Sequence, residues 1–276
     1  MTRQQRRARE KADQDTLRRS GLPLQRDMTL LFAQTRVLLR ILKNTASPAR
    51  AAEAARHNLE TLERSIRYHT DPAPLECRKG CSFCCHNMVA ATAPEIFLLA
   101  RHLKALRPAD FQAALARIQA VDAAGRDLPP LQRYRDHIGC GLLVDGLCSA
   151  YEARPTPCRT MVSASVAACE ASWRGEPARI PVPQSFGHLK SSYSFSLIAA
   201  LRGAGLDTGI YELNHALRIA LETDDAEARW LAGEDVFAGV QRDMASGAVQ
   251  PQTELFLSVL AAGAAGEPLP ANPWIG

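Results

Sequence analysis

The 276 residues contain no apolar run long enough to cross a bilayer. The most apolar stretch, Thr29 to Leu42, is broken by Arg36 and Arg40 and falls short of the roughly 18–20 residues that a membrane helix needs. No apolar segment precedes Gly21, so no secretory signal is visible, and the expected location is cytoplasmic. The chain shows no internal repeat, no Walker loop, no dinucleotide-binding glycine fingerprint, no serine-hydrolase elbow and no H-E-x-x-H zinc motif. The usual signatures of nucleotide binding, serine hydrolysis and helix-borne zinc catalysis are therefore missing. Gly203-Ala-Gly205 is a fragment of a glycine pattern and reads as a helix end. Net charge is small as well: +4 does not indicate nucleic acid as a partner.

What the chain does have is ordinary globular material. Hydrophobic residues make up 46% and charged residues 22%, which argues against disorder over the whole length. The length supports a core without covalent staples. The charge is uneven. Residues 1–70 carry 15 basic and 7 acidic side chains, and the excess begins with Arg3, Arg6, Arg7, Arg9, Lys11, Arg18, Arg19 and Arg26. Residues 1–26 therefore read as a solvated basic arm, a mobile tail or a contact for a protein or anionic partner.

Helical periodicity dominates the rest. Asp27 to Lys43 presents Leu30, Leu31, Val37, Leu38, Ile41 and Leu42 on one broad face. Ser47-Pro48 opens a second helix, to about Tyr68, with Ala52, Ala55, Leu59, Leu62 and Ile66 inward. The two form a helical hairpin over residues 27–70. Thr92-Ala-Pro-Glu95 is a capping box that starts a helix carrying Ile96, Leu99 and Leu103. A further helix spans about Ala109 to Ala124, and Asp127 to Gly139 reads as a connection. Cys140 to Cys148 is the best strand signal, with Asp145-Gly146 suited to a hairpin turn. Cys169 falls on a short helix starting near Ser163 or Ser165. Four more helices follow, near 189–201, 210–221 (with Thr208 as its cap), 225–232 and 253–262. Residues from Gly263 onward look like a loose tail.

The chemistry lies in the eight cysteines, Cys77, Cys81, Cys84, Cys85, Cys140, Cys148, Cys158 and Cys169, all between residues 77 and 169. In a reducing compartment such a set reads as metal-binding or catalytic rather than as disulfides. Cys77, Cys81 and Cys84 form C-x3-C-x2-C, short enough for three thiolates to converge on one soft cation or cluster. Gly80 lets the chain bend just before Cys81. Adjacent side chains point apart, so Cys84 and Cys85 can serve one site and its support, or face separate centres. Cys140, Cys148 and Cys158 close the site from the other side; Cys169 could also be a small buried hydrophobe. His86 is a further possible ligand. Arg154 and Arg159 suit either sulfurs and anions or the carbonyls of their turn, and Arg78 and Lys79 add positive charge beside the thiols. Spacing does not separate zinc from an iron–sulfur cluster. The asymmetry between one dense and one sparse loop leans toward a cluster, and eight thiols could hold two centres.

Cys77-Arg-Lys-Gly-Cys81-Ser-Phe-Cys84-Cys85, followed by Cys140, Cys148 and Tyr-Glu-Ala-Arg-Pro-Thr-Pro-Cys158-Arg, resembles the YkgJ-type cysteine-cluster family, zinc- or iron-chelating domains with a CxxCxxCC signature. The resemblance covers roughly residues 77–170 and implies metal or iron–sulfur binding. Flagellin lysine methylases carry a similar cluster, but only the cluster matches. Cys77, Cys81, Phe83 and Cys84 also resemble the radical S-adenosylmethionine motif, in which three cysteines hold a [4Fe–4S] cluster. That motif belongs after the first strand of a βα barrel, and this chain does not alternate strand and helix.

The expected fold is mainly α: a helical domain around a small cysteine-rich metal-binding centre with one β-hairpin. Residues 71–175 would form the cysteine-cluster region, and residues 176–276 a helical region packed on it. The expected function is metal binding, through an iron–sulfur cluster or a zinc or iron ion, with a redox or metal-handling role. The alternatives are a zinc-stabilised interaction module and a methyl-transferring or radical enzyme.

Overall fold

A computed structural model describes residues 28–69, 75–242 and 251–267. The basic arm at 1–26 lies outside the described residues, as do residues 268–276 of the expected tail. The first helix, α1 (Met28–Leu42), packs on three others, so its apolar face is broad. Leu31, Leu38, Leu39 and Leu42 are buried, with Gln34 and Thr35 between them, whereas Leu30 is half exposed and faces out. Helix α2 (Arg50–His69) buries Ala51, Ala52, Ala54 and Ala55 at its start and Leu59 and Leu62 beyond. Its small residues let neighbouring helices approach closely.

A short coil and a 3-10 turn at Phe83–His86 lead to strand β1 (Ala90–Thr92) and helix α3 (Ala93–Lys104). Helices α4 (Pro108–Gly125) and α5 (Pro130–Arg135) follow. Helix α5 occupies a stretch expected to be a plain connection. Proline at its first position fits a helix start, and it buries Arg133. Strands β2 (Leu143–Val144) and β3 (Leu147–Cys148) form the expected hairpin. Asp145 and Gly146 both take positive φ, as a primed two-residue turn requires. Helices α6 (Thr156–Thr160) and α7 (Val166–Trp173) come next, then the long α8 (Gln184–Gly203).

Strand β4 (Ile210–Glu212) and helix α9 (Leu213–Glu222) correct one expectation. The helix does not begin at Ile210, and Thr208 does not cap it. Ile210-Tyr211-Glu212 pairs antiparallel with β1, Ala91 opposite Tyr211, and Tyr211 is buried against Phe237. β-branched and aromatic residues fit such a half-buried pleat. The helix starts where the Glu212 carboxylate accepts the His215 N–H at 2.7 Å. Helices α10 (Ala226–Leu231) and α11 (Pro251–Ala265) complete the fold. Helix α11 runs past Gly263 to Ala265, where a loose tail was expected, and that glycine leaves room for Phe32 of α1, where a Cβ would collide.

The fold is mainly α, with two small antiparallel sheets among the described residues. Helices α1, α2, α8 and α11 form one packed group; α3, α4 and α9 form another that meets it through α2 and α3. One aliphatic core runs through both. No helix among the described residues is long and apolar enough to cross a membrane.

Four carboxylates are buried among the described residues, Glu95, Asp122, Glu212 and Glu227, and each ties separate elements together. Burial of a charge is tolerated when it is paired, and among these four only Asp122 keeps a buried oxygen, Oδ1, without a hydrogen bond. Glu95 Oε2 accepts the Thr92 N–H at 3.0 Å and hydroxyl at 2.8 Å, and its Oε1 accepts the Thr156 N–H at 2.7 Å. Asp122 on α4 accepts Arg218 Nε of α9 at 2.6 Å. Glu212 Oε1 accepts Arg133 Nη1 at 2.6 Å and Asn214 Nδ2 at 3.1 Å. Glu227 on α10 accepts the Ala52 N–H at 3.0 Å, at the start of α2, and Arg101 Nε at 2.7 Å.

Glu95→Ala removes one carboxylate from three donors and should cost about 3 kcal/mol of unfolding free energy, from the lost cap and the newly unpaired buried amides. Urea denaturation measures it, and a loss below about 1 kcal/mol contradicts the anchoring role. Two glycines should respond in opposite directions in the same assay. A Cβ on Gly141 would lie 2.7 Å from the Ile118 backbone, so Gly141→Ala should destabilise by about 1–3 kcal/mol. Gly187 is exposed in α8 with open space around it, so Gly187→Ala should stabilise by about 0.5–1 kcal/mol.

Candidate metal centre

The cysteine loops have little regular structure, and their backbone bonds show what places them. Arg78 C=O accepts the Cys81 N–H at 3.0 Å across a turn, in which Gly80 has a φ of 90°, a value that suits glycine. Cys84 and Cys85 then ride on the 3-10 turn Phe83–His86. Upstream, Glu76 is stitched to the segment before α7. Its N–H donates to Ser163 C=O at 3.2 Å, and its carboxylate accepts the Val166 N–H at 2.6 Å. The Cys77 segment therefore lies beside α7, whose Ser165 caps Ala168 at 3.1 Å and whose Cys169 is buried.

The second cysteine segment is set on the other half of the fold. The Cys140 N–H donates to Cys85 C=O at 2.9 Å, which joins the two loops directly. The next amide, of Gly141, donates to Asn214 Oδ1 at 2.9 Å. The tip of the hairpin reaches back as well: a Cβ on Gly146 would lie 3.6 Å from the Gly80 carbonyl. Cys158 sits on α6, fixed by Glu95 through Thr156, and α6 packs on α8.

All eight cysteines are free thiols. They fall into two neighbourhoods. Cys77 is close enough to Cys84 and Cys169 to feel their charge, and Cys81 feels Cys77, Cys84 and Cys169. Cys158 feels Cys140, Cys148 and Cys84, and Cys140 feels Cys148. Cys84 feels Cys85 beside it and acts on Cys77, Cys81 and Cys158 as well. Among the described residues, no three His, Cys, Asp or Glu side chains already form a closed arrangement able to hold a metal ion. The sulfurs are gathered but not drawn into a coordination shell.

Burial is the main force on most of these thiols. It raises Cys77, Cys81, Cys148 and Cys158 above the usual thiol value and pushes Cys140 up to about 11. Cys84 is raised first by its hydrogen bond to Cys85 and then by burial. Backbone donors oppose that effect. Cys77 Sγ accepts the Ser163 N–H at 3.1 Å. The amides of Phe83, Leu142 and Ala150 act in the same direction on Cys81, Cys140 and Cys148. Hydrogen bonds of this kind favour the thiolate and help set the properties of a sulfur-ligated metal.

The surrounding side chains divide in the same way. Trp173 lies one helical turn beyond Cys169 and packs against Phe83 at 6.0 Å and His86 at 5.9 Å between ring centroids. His137 stacks on Trp173 at 3.9 Å and donates from Nε2 to its carbonyl at 2.8 Å. Neither Trp173 Nε1 nor His86 Nδ1 has a hydrogen-bond partner, although both atoms are buried. On the hairpin side, Arg154 lies 3.7 Å over the Tyr151 ring, and its charge acts on Cys84, Cys148 and Cys158. Its buried Nε lacks a partner, as do Nε and Nη2 of Arg133, whose charge reaches Cys140. Arg159 has the other role weighed for it: it donates to Arg154 C=O at 2.7 Å and pairs with Glu63. Arg78 and Lys79 point to solvent.

This donor set suits a soft or borderline cation. Thiolates bind zinc and iron well, and buried N–H groups without acceptors are what anionic sulfur would satisfy. The sequence did not single out Trp173, His137 or Asn214 for the site. Trp173 carried a usable signal, its position four residues after Cys169 on one helix face. No curated protein and no solved structure matches the chain. Residues 76–176 match the CxxCxxCC family model, described as "Putative zinc- or iron-chelating domain".

Proposed function

We propose that the chain is a metal-binding protein whose clustered cysteines hold an iron–sulfur centre, in a redox or metal-handling role. The observation that carries this reading is a main-chain amide directed at sulfur, the Ser163 N–H donating to Cys77 Sγ at 3.1 Å, in a loop joined to the second cysteine segment by the Cys140 N–H on the Cys85 carbonyl at 2.9 Å. Inert buried thiols need no such donors, because a neutral S–H is only a weak acceptor. Thiolates bound to a cation do need them, since the negative charge on sulfur must be balanced where water is partly excluded. The charges of Arg133 and Arg154 serve the same end. The iron–sulfur assignment follows from the asymmetric spacing, dense at residues 77–85 and sparse from 140 to 169, where paired C-x2-C knuckles would suit structural zinc better. The cysteine loop precedes β1 and belongs to no βα barrel, so the radical reading gains no support from the fold.

The full chain, purified without oxygen, should contain iron and acid-labile sulfide in matching amounts. It should show a broad brown absorption that bleaches on reduction. Zinc without sulfide would replace this reading with a metal-stabilised interaction module. Absence of any stoichiometric metal would overturn metal binding altogether.

Replacing Arg154 with Met should leave the metal content in place and shift the reduction potential of the centre to a more negative value. Loss of a nearby positive charge disfavours the added electron. An unchanged potential, followed by protein-film voltammetry, would remove Arg154 from the electrostatics of the site.

A further inference from the structure

We infer that the chain carries a second binding site, lined by no cysteine, for a small zwitterion with an apolar side chain, of the chemical class of a free α-amino acid. The site is a cavity of about 460 Å³ where the end of α3 meets the last turn of α9 and the start of α10. It does not depend on the metal-binding reading.

The floor of the cavity is apolar. Phe97 and Ala100 of α3, Ala220 of α9 and Ala226 of α10 line it, and all four are buried. The small side chains leave the space open, and its volume lies within the roughly 300–1,000 Å³ of small-molecule sites.

The charged groups at the cavity are few and of both signs. Arg101 and Lys104 are three residues apart on α3 and so share one face, while Asp225 and Glu227 come from the start of α10. Glu227 is fully used inside the protein: Oε1 accepts the Ala52 N–H at 3.0 Å and Oε2 accepts Arg101 Nε at 2.7 Å. Lys104 and Asp225 are not used in this way. Lys104 Nζ donates to the Ala220 carbonyl at 3.3 Å, and an ammonium has three donors. Asp225 takes the cap position of α10 with a φ of 51°, yet its side chain makes no cap hydrogen bond, although capping is the usual service of an aspartate there. Among the described residues neither Lys104 nor Asp225 takes part in an ion pair, with the other or with a third group.

Two opposite charges therefore line one apolar-floored cavity without neutralising each other. A neutral ligand matches neither charge, and a simple anion or cation matches one. A zwitterion matches both: its carboxylate goes to Lys104 and its ammonium to Asp225. The alanines and Phe97 offer no polar side-chain atoms, so the rest of the ligand that lies on them is apolar.

The test is a calorimetric titration of the full chain, as isolated, with L-leucine as the probe. N-acetyl-L-leucine and L-leucinamide serve as analogues that each lack one of the two charges. Leucine should saturate at one equivalent, and each analogue should bind at least about tenfold more weakly. The variants K104M and D225N should each weaken leucine by about five- to tenfold, with helical circular dichroism and metal content kept; asparagine tolerates the left-handed backbone of position 225. No saturable heat with leucine up to about 10 mM, or analogues that bind as tightly as leucine, overturns the zwitterion site and leaves metal binding standing. Folded variants that bind leucine with native affinity overturn it as well. If a variant does not fold, the analogues on the native chain decide.

Discussion

The cysteine loops depend on carboxylates buried at the starts of two helices. Glu95 closes the first turn of α3 with one oxygen and takes the Thr156 amide with the other. Glu212 does the same service at α9, where it caps His215 and holds Arg133 and Asn214. Asn214 in turn takes the amide beside Cys140. A carboxylate at a helix start is favoured by the orphan N–H groups and the dipole. Each glutamate therefore has local reason to be there, and its remaining contacts reach toward a cysteine segment, through Thr156 for Glu95 and through Asn214 for Glu212. Strands β1 and β4 pair antiparallel, so the two helix starts, after Thr92 and after Glu212, leave from opposite ends of one short ribbon. The antiparallel pair is short, but it ties the helix whose start holds Thr156 to the helix whose start holds Gly141.

Burial and hydrogen bonding compete at the sulfurs. Removing a thiol from water penalises its ionised form, while a nearby amide or guanidinium favours it. Burial prevails for Cys140, whose thiol is pushed up to about 11 despite the Leu142 amide and Arg133. The protein has thus built part of the environment of a thiolate without enough positive charge to create one. A bound cation would supply the missing charge and take the place of the protons, which would couple metal binding to the arrangement of the loops.

Helices were the legible part of the sequence because their burial pattern repeats. The capping box at Thr92 and the Asp145-Gly146 turn were equally plain, since each is fixed by local chemistry. The failures have tertiary causes. Leu30 carries the right period for α1 yet faces out, because α1 is shared among α2, α8 and α11 and buries Leu39 with Gln34 and Thr35. Ile210 to Glu212 carries the right period for a helix yet is a strand, because β1 offers it a partner. Arg133 could not be recognised as buried without Glu212, 79 residues away. At the site, the cysteines themselves were legible as a set, but their division was not. Spacing places Cys77, Cys81, Cys84 and Cys85 together, whereas the fold puts Cys169 with Cys77 through bonds made by Glu76 and Ser163.

The position of the two thiol groups relative to the core gives them unequal roles in the fold. The aliphatic core is built from leucines and alanines of α1, α2, α3, α8 and α9, and it owes nothing to the sulfurs. The helical scaffold has its own reason to form, as a chain of this length should. Cys140, Cys148 and Cys158 rest on that core, so the scaffold places them before any cation arrives. Cys77 and Cys81 are held by a turn, a few backbone bonds and the aromatic packing of Phe83 on Trp173. Ordering so irregular a loop costs conformational entropy that few buried contacts offset. A cation bound by thiols of that loop would add an attraction to the turn, the backbone bonds and the aromatic packing that already hold it.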